Sequence, residues 1–324
     1  MNSSTGTMVS EVLPSWLTDA ANRLRGITGF VTVHPNGGDP RTLAFSRYEH
    51  VTRVTSLALS LSEDRRLPRA EVLLLSWLHD INRWPFSHNS ESGNFEHADD
   101  IERFIAGRLP VATVSQAVGI AHKNVAGLHP AARAVLLSDI ATGLLEDTLF
   151  TITGLNLSPS ELPNDALDLL RLPVGDYSFL EELQHLYTLL NQEKDVPRYV
   201  RDFNSLVFRS TRKFLADHSF LNVDPLESER FREIRLSLRS GYLEEKIFPL
   251  NNEKVCHGSM IRRVIVDPVI SRIGCEAPAL LTRWTEVDMV AYALSERLAT
   301  KETLDALAPT LDYVRMFEPN RCFM

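Results

Sequence analysis

The sequence predicts an all-α fold: a helical bundle extended by further helices toward the C-terminus. Between positions 41 and 150, apolar residues return at helical spacing in five consecutive segments. Pro68, Pro85, Pro110 and Pro130 punctuate those segments at their ends. Further on, helical patterns recur at 178–193, 196–217, 226–240, 284–299 and 301–314, and only 264–273 reads as a short strand or buried extended piece. The organisation expected is a lead-in over 1–40, a helical core over 41–150 and a mostly helical region over 151–324. The last of these is expected to pack on the core, because the turn-rich stretch 151–173 is not a clear linker.

Taken in order, residues 1–10 are polar and expected to be disordered, and 11–25 suit a short helix. Residues 26–40 hold Gly26, Gly29, Pro35, Gly37, Gly38 and Pro40, the composition of a loop. The first strong helix is expected over 41–62, where Val51, Val54, Ala58 and Leu61 form a stripe with His50 at its edge. A second helix starts near Arg69, carries the apolar run from Val72 to Leu78 and ends at His79-Asp80-Ile81. Pro85 disfavours helical geometry at Trp84, so the helix stops before it. The third spans 90–108, with His97, Ile101, Phe104 and Ile105 on one face. Pro110 opens a fourth, with Val111, Val114, Val118 and His122 in register. The fifth spans 131–150 and packs Ala134, Leu137, Ile140, Ala141 and Leu144 inward, with Asp139 beside them.

Composition narrows the function. The 324 residues are 44% apolar and 23% charged, with a net charge of −8, enough for about two ordinary soluble domains. That charge argues against a general nucleic-acid binder, which shows a basic face. It is compatible with a small anionic substrate, because a bound cation reverses the local field. Cys256, Cys275 and Cys322 are widely spaced without a Cys-x-x-Cys, as expected of reduced thiols in the cytoplasm. No apolar run approaches the roughly 18 residues of a membrane span, and the first ten residues lack the basic start and apolar core of a secretory signal. A homo-oligomer is left open.

The chemistry concentrates early. Six of the ten histidines lie between positions 50 and 129, and His50, His79-Asp80, His97, His122 and Asp139 fall on five successive helices beside the buried face. One histidine on an apolar face is ordinarily a packed or surface residue. Four, joined by two carboxylates that are costly to bury unpaired, point instead to a metal site. Imidazole with carboxylate suits a divalent transition metal, one or two ions, with Fe or Mn favoured and Co, Ni or Zn compatible. Adjacent helical residues point about 100° apart, so His79 and Asp80 share an ion only if ligands arrive from other helices.

The order His50, His79-Asp80, Asp139 resembles the HD-domain superfamily of metal-dependent phosphohydrolases over 41–150, and implies an HD-type bundle with these four residues as metal ligands. The additional His97 and His122 resemble the dinuclear branch, which implies that both bind a second ion. That branch includes diadenosine-tetraphosphate hydrolases, cyclic-dinucleotide phosphodiesterases and diiron oxygenases. Pro85-Phe86-Ser87-His88, followed by Glu91, is similar to the deoxynucleotide triphosphohydrolases, in which the histidine and acid form a catalytic pair and a later Glu-His (here Glu96-His97) supplies an active-site histidine. The two resemblances thus give His97 different roles. Arg83 and Gly143 depart from those enzymes, which carry histidine and tyrosine there.

The function expected is hydrolysis of a small phosphorylated substrate, a nucleotide or related ester, by metal-activated water. Asp80 would orient the water, and His88, oriented by Glu91, would protonate the leaving oxygen. Arg83 and Lys123 would bind phosphate. The alternatives are a diiron oxygenase cleaving a C–C or C–P bond and a non-enzymatic regulatory module. The later arginines, among them Arg235 and Arg239, read as a solvated face, with a substrate-phosphate or interdomain role as the alternative. Trp77, Trp84 and Phe86 read as core packing, with stacking on a base as the alternative.

Overall fold

One long helix organises the molecule. The computed structural model describes residues 13–34, 41–87, 90–91, 96–155, 168, 171–172, 176–189, 195–221, 225–237, 239–240 and 261–306. Within them the chain is an almost entirely α-helical bundle with one two-stranded sheet. Helix α1 (Ser15–Arg23) leads through a 3-10 turn (Leu24–Gly26) into β1 (Thr28–His34) and β2 (Arg41–Ser46). Then come α2 (Arg47–Arg65), α3 (Arg69–Leu78), α4 (His97–Ile105), α5 (Val111–Ala121) and α6 (Pro130–Leu155). The C-terminal region adds α7 (Tyr177–Thr188), α8 (Val196–Asp217), α9 (Glu229–Leu236), α10 (Asp267–Ile273), α11 (Ala277–Leu281), α12 (Glu286–Ser295) and α13 (Lys301–Ala306).

Helix α6 buries Val135, Leu136, Leu137, Ala141, Leu145 and Leu149 on every side, the pattern of a helix enclosed by others. It packs against α2, α3, α5, α7, α8 and β1. At about 25 cal/mol per Å² of apolar surface, this contact set is the main favourable term in folding. A second, smaller apolar cluster joins Ile261, Ile265, Val269, Leu281, Met289 and Ala293 to Trp84 and Phe86 in the loop after α3. Trp77, Trp84 and Phe86 are fully enclosed, in keeping with core packing. No helix among the described residues is long and apolar enough to cross a membrane.

Three expectations need correction. The helix expected from position 41 begins at Arg47, and 41–46 is a strand paired antiparallel with a segment expected to be loop, Thr28 opposite Ser46 and His34 opposite Arg41. The cause is a capping box: the Ser46 hydroxyl accepts from Glu49 N at 3.3 Å and the Glu49 carboxylate accepts from Ser46 N at 2.6 Å, so the helix cannot start earlier. The third helix starts at His97 rather than position 90. The stretch 264–273 is helical, because Ile265, Val266 and Val269 bury one helical face and Pro268 sits in the first turn of α10. In the last expected helix, 301–306 is helical and the remainder lies outside the described residues, as do Cys256 and Cys322; Cys275 is exposed and unpaired.

A half-buried arginine and a buried glutamate tie distant segments to the loop after α3. Arg23 donates to the carbonyls of Ile81 (3.0 Å), Arg83 (2.8 Å) and Trp284 (2.9 Å). Glu286, first residue of α12, accepts from Thr28 N (2.7 Å), the Thr28 hydroxyl (2.9 Å) and Phe86 N (3.0 Å). Phe86 and Ser87 adopt left-handed backbone at φ 63° and 45°, a costly conformation for non-glycine residues that these anchors hold in place.

Candidate metal centre

His50 lies in the first turn of α2, one residue past the glutamate of the capping box. His79 caps the C-terminus of α3 and Asp80 opens the following turn, so the backbone leaves helical geometry where the adjacent side chains must converge. Donor atoms of His50, His79 and Asp80 all lie within 4.8 Å of one another, and all three residues are buried. Asp139, in the middle of α6, joins them: its Oδ1 is 3.3 Å from His50 Nε2 and 3.8 Å from His79 Nε2.

The far nitrogens decide what the near ones present. His79 Nδ1 donates to the Ser76 carbonyl at 2.6 Å. A carbonyl only accepts, so Nδ1 carries the proton and Nε2 offers a lone pair. That Nε2 is buried with no hydrogen-bond partner among the described residues. Leaving such an atom unsatisfied costs about 1–3 kcal/mol, and a cation removes the cost. Burial also lowers the His79 pKa despite Asp80 and Asp139, keeping the ring neutral. His50 Nδ1 is bound by Glu146, whose other oxygen accepts from Arg53 Nε at 2.7 Å. Burial alone would depress the His50 pKa, but Glu146 and Asp139 raise it to about 9. The pocket between these carboxylates therefore holds a positive charge, supplied by a proton or by a metal ion. Carboxylate-bound imidazoles are the usual support of metal ligands. Two imidazoles and two carboxylates fit a divalent transition metal, and the cluster can chelate one.

Asp80 is held by two guanidiniums, Arg47 Nη1 at 3.1 Å and Arg83 Nε at 2.7 Å. Burial would raise its pKa, but Arg83 and Arg47 keep the carboxyl well below the usual range. Arg83 also bonds Glu91, which accepts from His97 Nδ1 at 2.8 Å; His97 Nε2 lies 3.8 Å from Asp80 Oδ1. Arg47 reaches on to the Ser87 hydroxyl (3.1 Å), which donates to the Thr28 carbonyl at 2.5 Å.

These groups open into a cleft of about 520 Å³, walled by Gly29 and Phe45 of the hairpin, floored by Asp139, Gly143 and Asp147 of α6, and closed at its far end by Arg235, Leu236 and Arg239. His97, Arg83 and Lys123 line it, the Lys123 Nζ standing 4.0 Å from Asp139 Oδ2. Arg83 is buried rather than a surface arginine. His122 is not brought to the cluster: it sits exposed at the end of α5, its Nε2 3.7 Å from Asp99, and it does not line the cleft. His88 lies outside the described residues; Glu91, expected to orient it, is engaged by His97 and Arg83.

Sequence reasoning missed Arg47 and Glu146. Arg47 lies three residues before His50 on α2, and Glu146 seven after Asp139 on α6, both spacings that return to one helix face. Glu286 and Arg23 left no local signal, since the residues they bond lie at least 58 positions away in sequence. No protein-family model matches the chain, and no curated protein matches it in sequence.

Proposed function

We propose that this chain is an HD-type metal-dependent phosphohydrolase acting on a small phosphate ester, a nucleotide or a molecule of similar size. The observation that carries the reading is a buried His50–His79–Asp80–Asp139 donor set beside two buried guanidiniums, Arg47 and Arg83, at the inner end of a ligand-sized cleft. A divalent ion held by those four residues supplies Lewis acidity and acidifies water at the site. Arg47 and Arg83 fix Asp80 and place positive charge where phosphoryl oxygens arrive; such preorganised charge is the main contribution of a protein to phosphoryl transfer. Lys123 adds a cation from the cleft wall.

We assign proton transfer to His97. Burial and Arg83 lower its pKa, and Glu91 accepts its Nδ1–H, so Nε2 presents a lone pair beside Asp80. In this role it takes a proton from the attacking water and returns it to the leaving oxygen. The role expected of His88, protonating the leaving oxygen, rests on the sequence and is the alternative assignment for that proton. The exposed position of His122 favours a site with one ion over the dinuclear arrangement, and so favours hydrolysis over the diiron oxygenase reading.

The test is a panel of nucleoside mono-, di- and triphosphates, cyclic nucleotides and dinucleoside polyphosphates, incubated with Mn or Fe and resolved by chromatography. Phosphate, pyrophosphate or triphosphate release that disappears in Asp80→Ala is the expected result. No product across the panel refutes the reading, and iron-dependent oxygen uptake in its place would support the oxygenase.

A further inference from the structure

We infer that the far end of the cleft is a second anion subsite, in which Arg235 and Arg239 receive a negative group carried by the molecule whose phosphoryl end reaches the His50–His79–Asp80 cluster. The inference rests on the proposed phosphohydrolase reading and names its substrate class: an elongate phosphate ester with a second anionic group.

The placement comes from α6. Asp139, Gly143 and Asp147 lie at four-residue intervals on one face of that helix and form the cleft floor. Eight residues at 1.5 Å each separate Asp139 from Asp147 by about 12 Å along the axis. Arg239 Nη1 stands 3.5 Å from Asp147 Oδ2, which fixes the far end of the cleft at that distance. Between the two ends a Cβ added to Gly143 would meet nothing within 4 Å, so the middle of the cleft is open to a substrate backbone.

Helix α9 divides its charges. Arg232 pairs with Glu229 on the solvent side, and Phe231 and Ile234 anchor the helix in the core. Arg235 lines the cleft and makes no hydrogen bond or ion pair among the described residues. Leu236 beside it is 51% exposed and offers an apolar contact to the middle of a ligand. A half-enclosed arginine with no carboxylate partner among the described residues, in a cleft whose other end suits a phosphoryl group, is matched by a ligand anion. Burial and Glu146 push the Asp147 carboxyl up to about 7, so near neutral pH it only partly neutralises this end.

The test uses two series of non-hydrolysable probes, alkane-α,ω-bisphosphonates from butane to decane and the matching alkyl monophosphonates. Binding is measured by calorimetry on the full chain with and without Mn. The expected result is an affinity maximum at the bisphosphonate whose phosphorus atoms span about 12 Å, roughly tenfold above its monophosphonate, as one partly exposed charge-assisted contact provides. Arg235→Glu should remove the maximum and Arg235→Gln should lower it, with circular dichroism confirming the fold. Bisphosphonates that bind no tighter than monophosphonates at any length, or a maximum that survives Arg235→Glu, overturn the subsite. The hydrolysable bisphosphates and monophosphates separate the two claims. A length optimum in binding without phosphate release keeps the subsite and refutes hydrolysis. Release from monophosphates with no advantage for bisphosphates does the reverse.

Discussion

Replacing Glu146 with glutamine removes a charge at almost constant volume, and the geometry predicts a specific defect. Glu146 is 2% exposed, and its oxygens face different donors, His50 Nδ1 on one side and Arg53 Nε at 2.7 Å on the other. An amide has one accepting oxygen and one donating nitrogen. Whichever way it turns, the amide in Glu146→Gln would satisfy one donor and oppose the other. Arg53 is permanently charged and buried, so the amide oxygen turns to it and the imidazole loses its acceptor. His50 is then no longer held as the tautomer with a free Nε2. Loss of such a support lowers metal affinity about tenfold to a hundredfold, or about 1.4–2.8 kcal/mol. The metal-free fold should also lose about 1–3 kcal/mol for the unsatisfied donor. The assay is competition for Mn or Zn against a chromophoric chelator, with melting followed in parallel in excess EDTA. A variant that melts lower but binds metal as tightly as the wild type would refute the argument, because Glu146 would then serve the fold alone.

Two further outcomes follow from buried carboxylates. Glu286→Ala strands one buried donor on Phe86 and two part-buried donors on Thr28, so the urea midpoint should fall by the equivalent of about 3 kcal/mol, with Glu286→Gln milder. An unchanged midpoint would show that α12 does not anchor the site loop. For Asp147, burial and Glu146 raise the folded-state pKa to about 7, so the folded chain holds this proton more tightly than the unfolded one. Stability from this group is therefore present below the unfolded pKa near 3.9 and is lost as pH rises toward about 7. Asp147→Asn should gain on the wild type across that window, by up to about 2 kcal/mol after allowance for its partly solvated side chain. Melting curves at several pH values check this, and a gap that stays constant with pH would contradict it.

The helical pattern was legible because burial on a helix leaves a local period, and His50, His79, Asp80 and Asp139 were legible because they interrupt that period with costly groups. The hairpin was not, since 41–46 runs directly into α2. The Ser46-x-x-Glu49 box that marks the boundary was present in the sequence all the same. Val264, Ile265 and Val266 favour strands by composition, and tertiary burial overrode that preference. The support around the ligands was the least legible layer. Arg47 and Glu146 share helix faces with His50 and Asp139, but the sequence does not show their partners until the facing helix is in place, and Arg235 reads as part of a solvated face.

The three carbonyls bound by Arg23 have a consequence for how the molecule is made. Ile81, Arg83 and Trp284 lie 58, 60 and 261 positions from it in sequence. Contacts of that separation form late, because the entropy of closing so long a chain precedes any gain from the bond. On a ribosome, helices α1 to α6, which carry His50, His79 and Asp139, emerge well before residue 284 is synthesised. At that stage Arg23 can already reach the Ile81 and Arg83 carbonyls, whereas the Trp284 carbonyl and the Glu286 carboxylate that accepts from Phe86 N are still missing. Synthesis of the C-terminal helices is thus coupled to completion of the site, and an abandoned translation product carries the ligands without the Trp284 and Glu286 contacts that close the loop after α3.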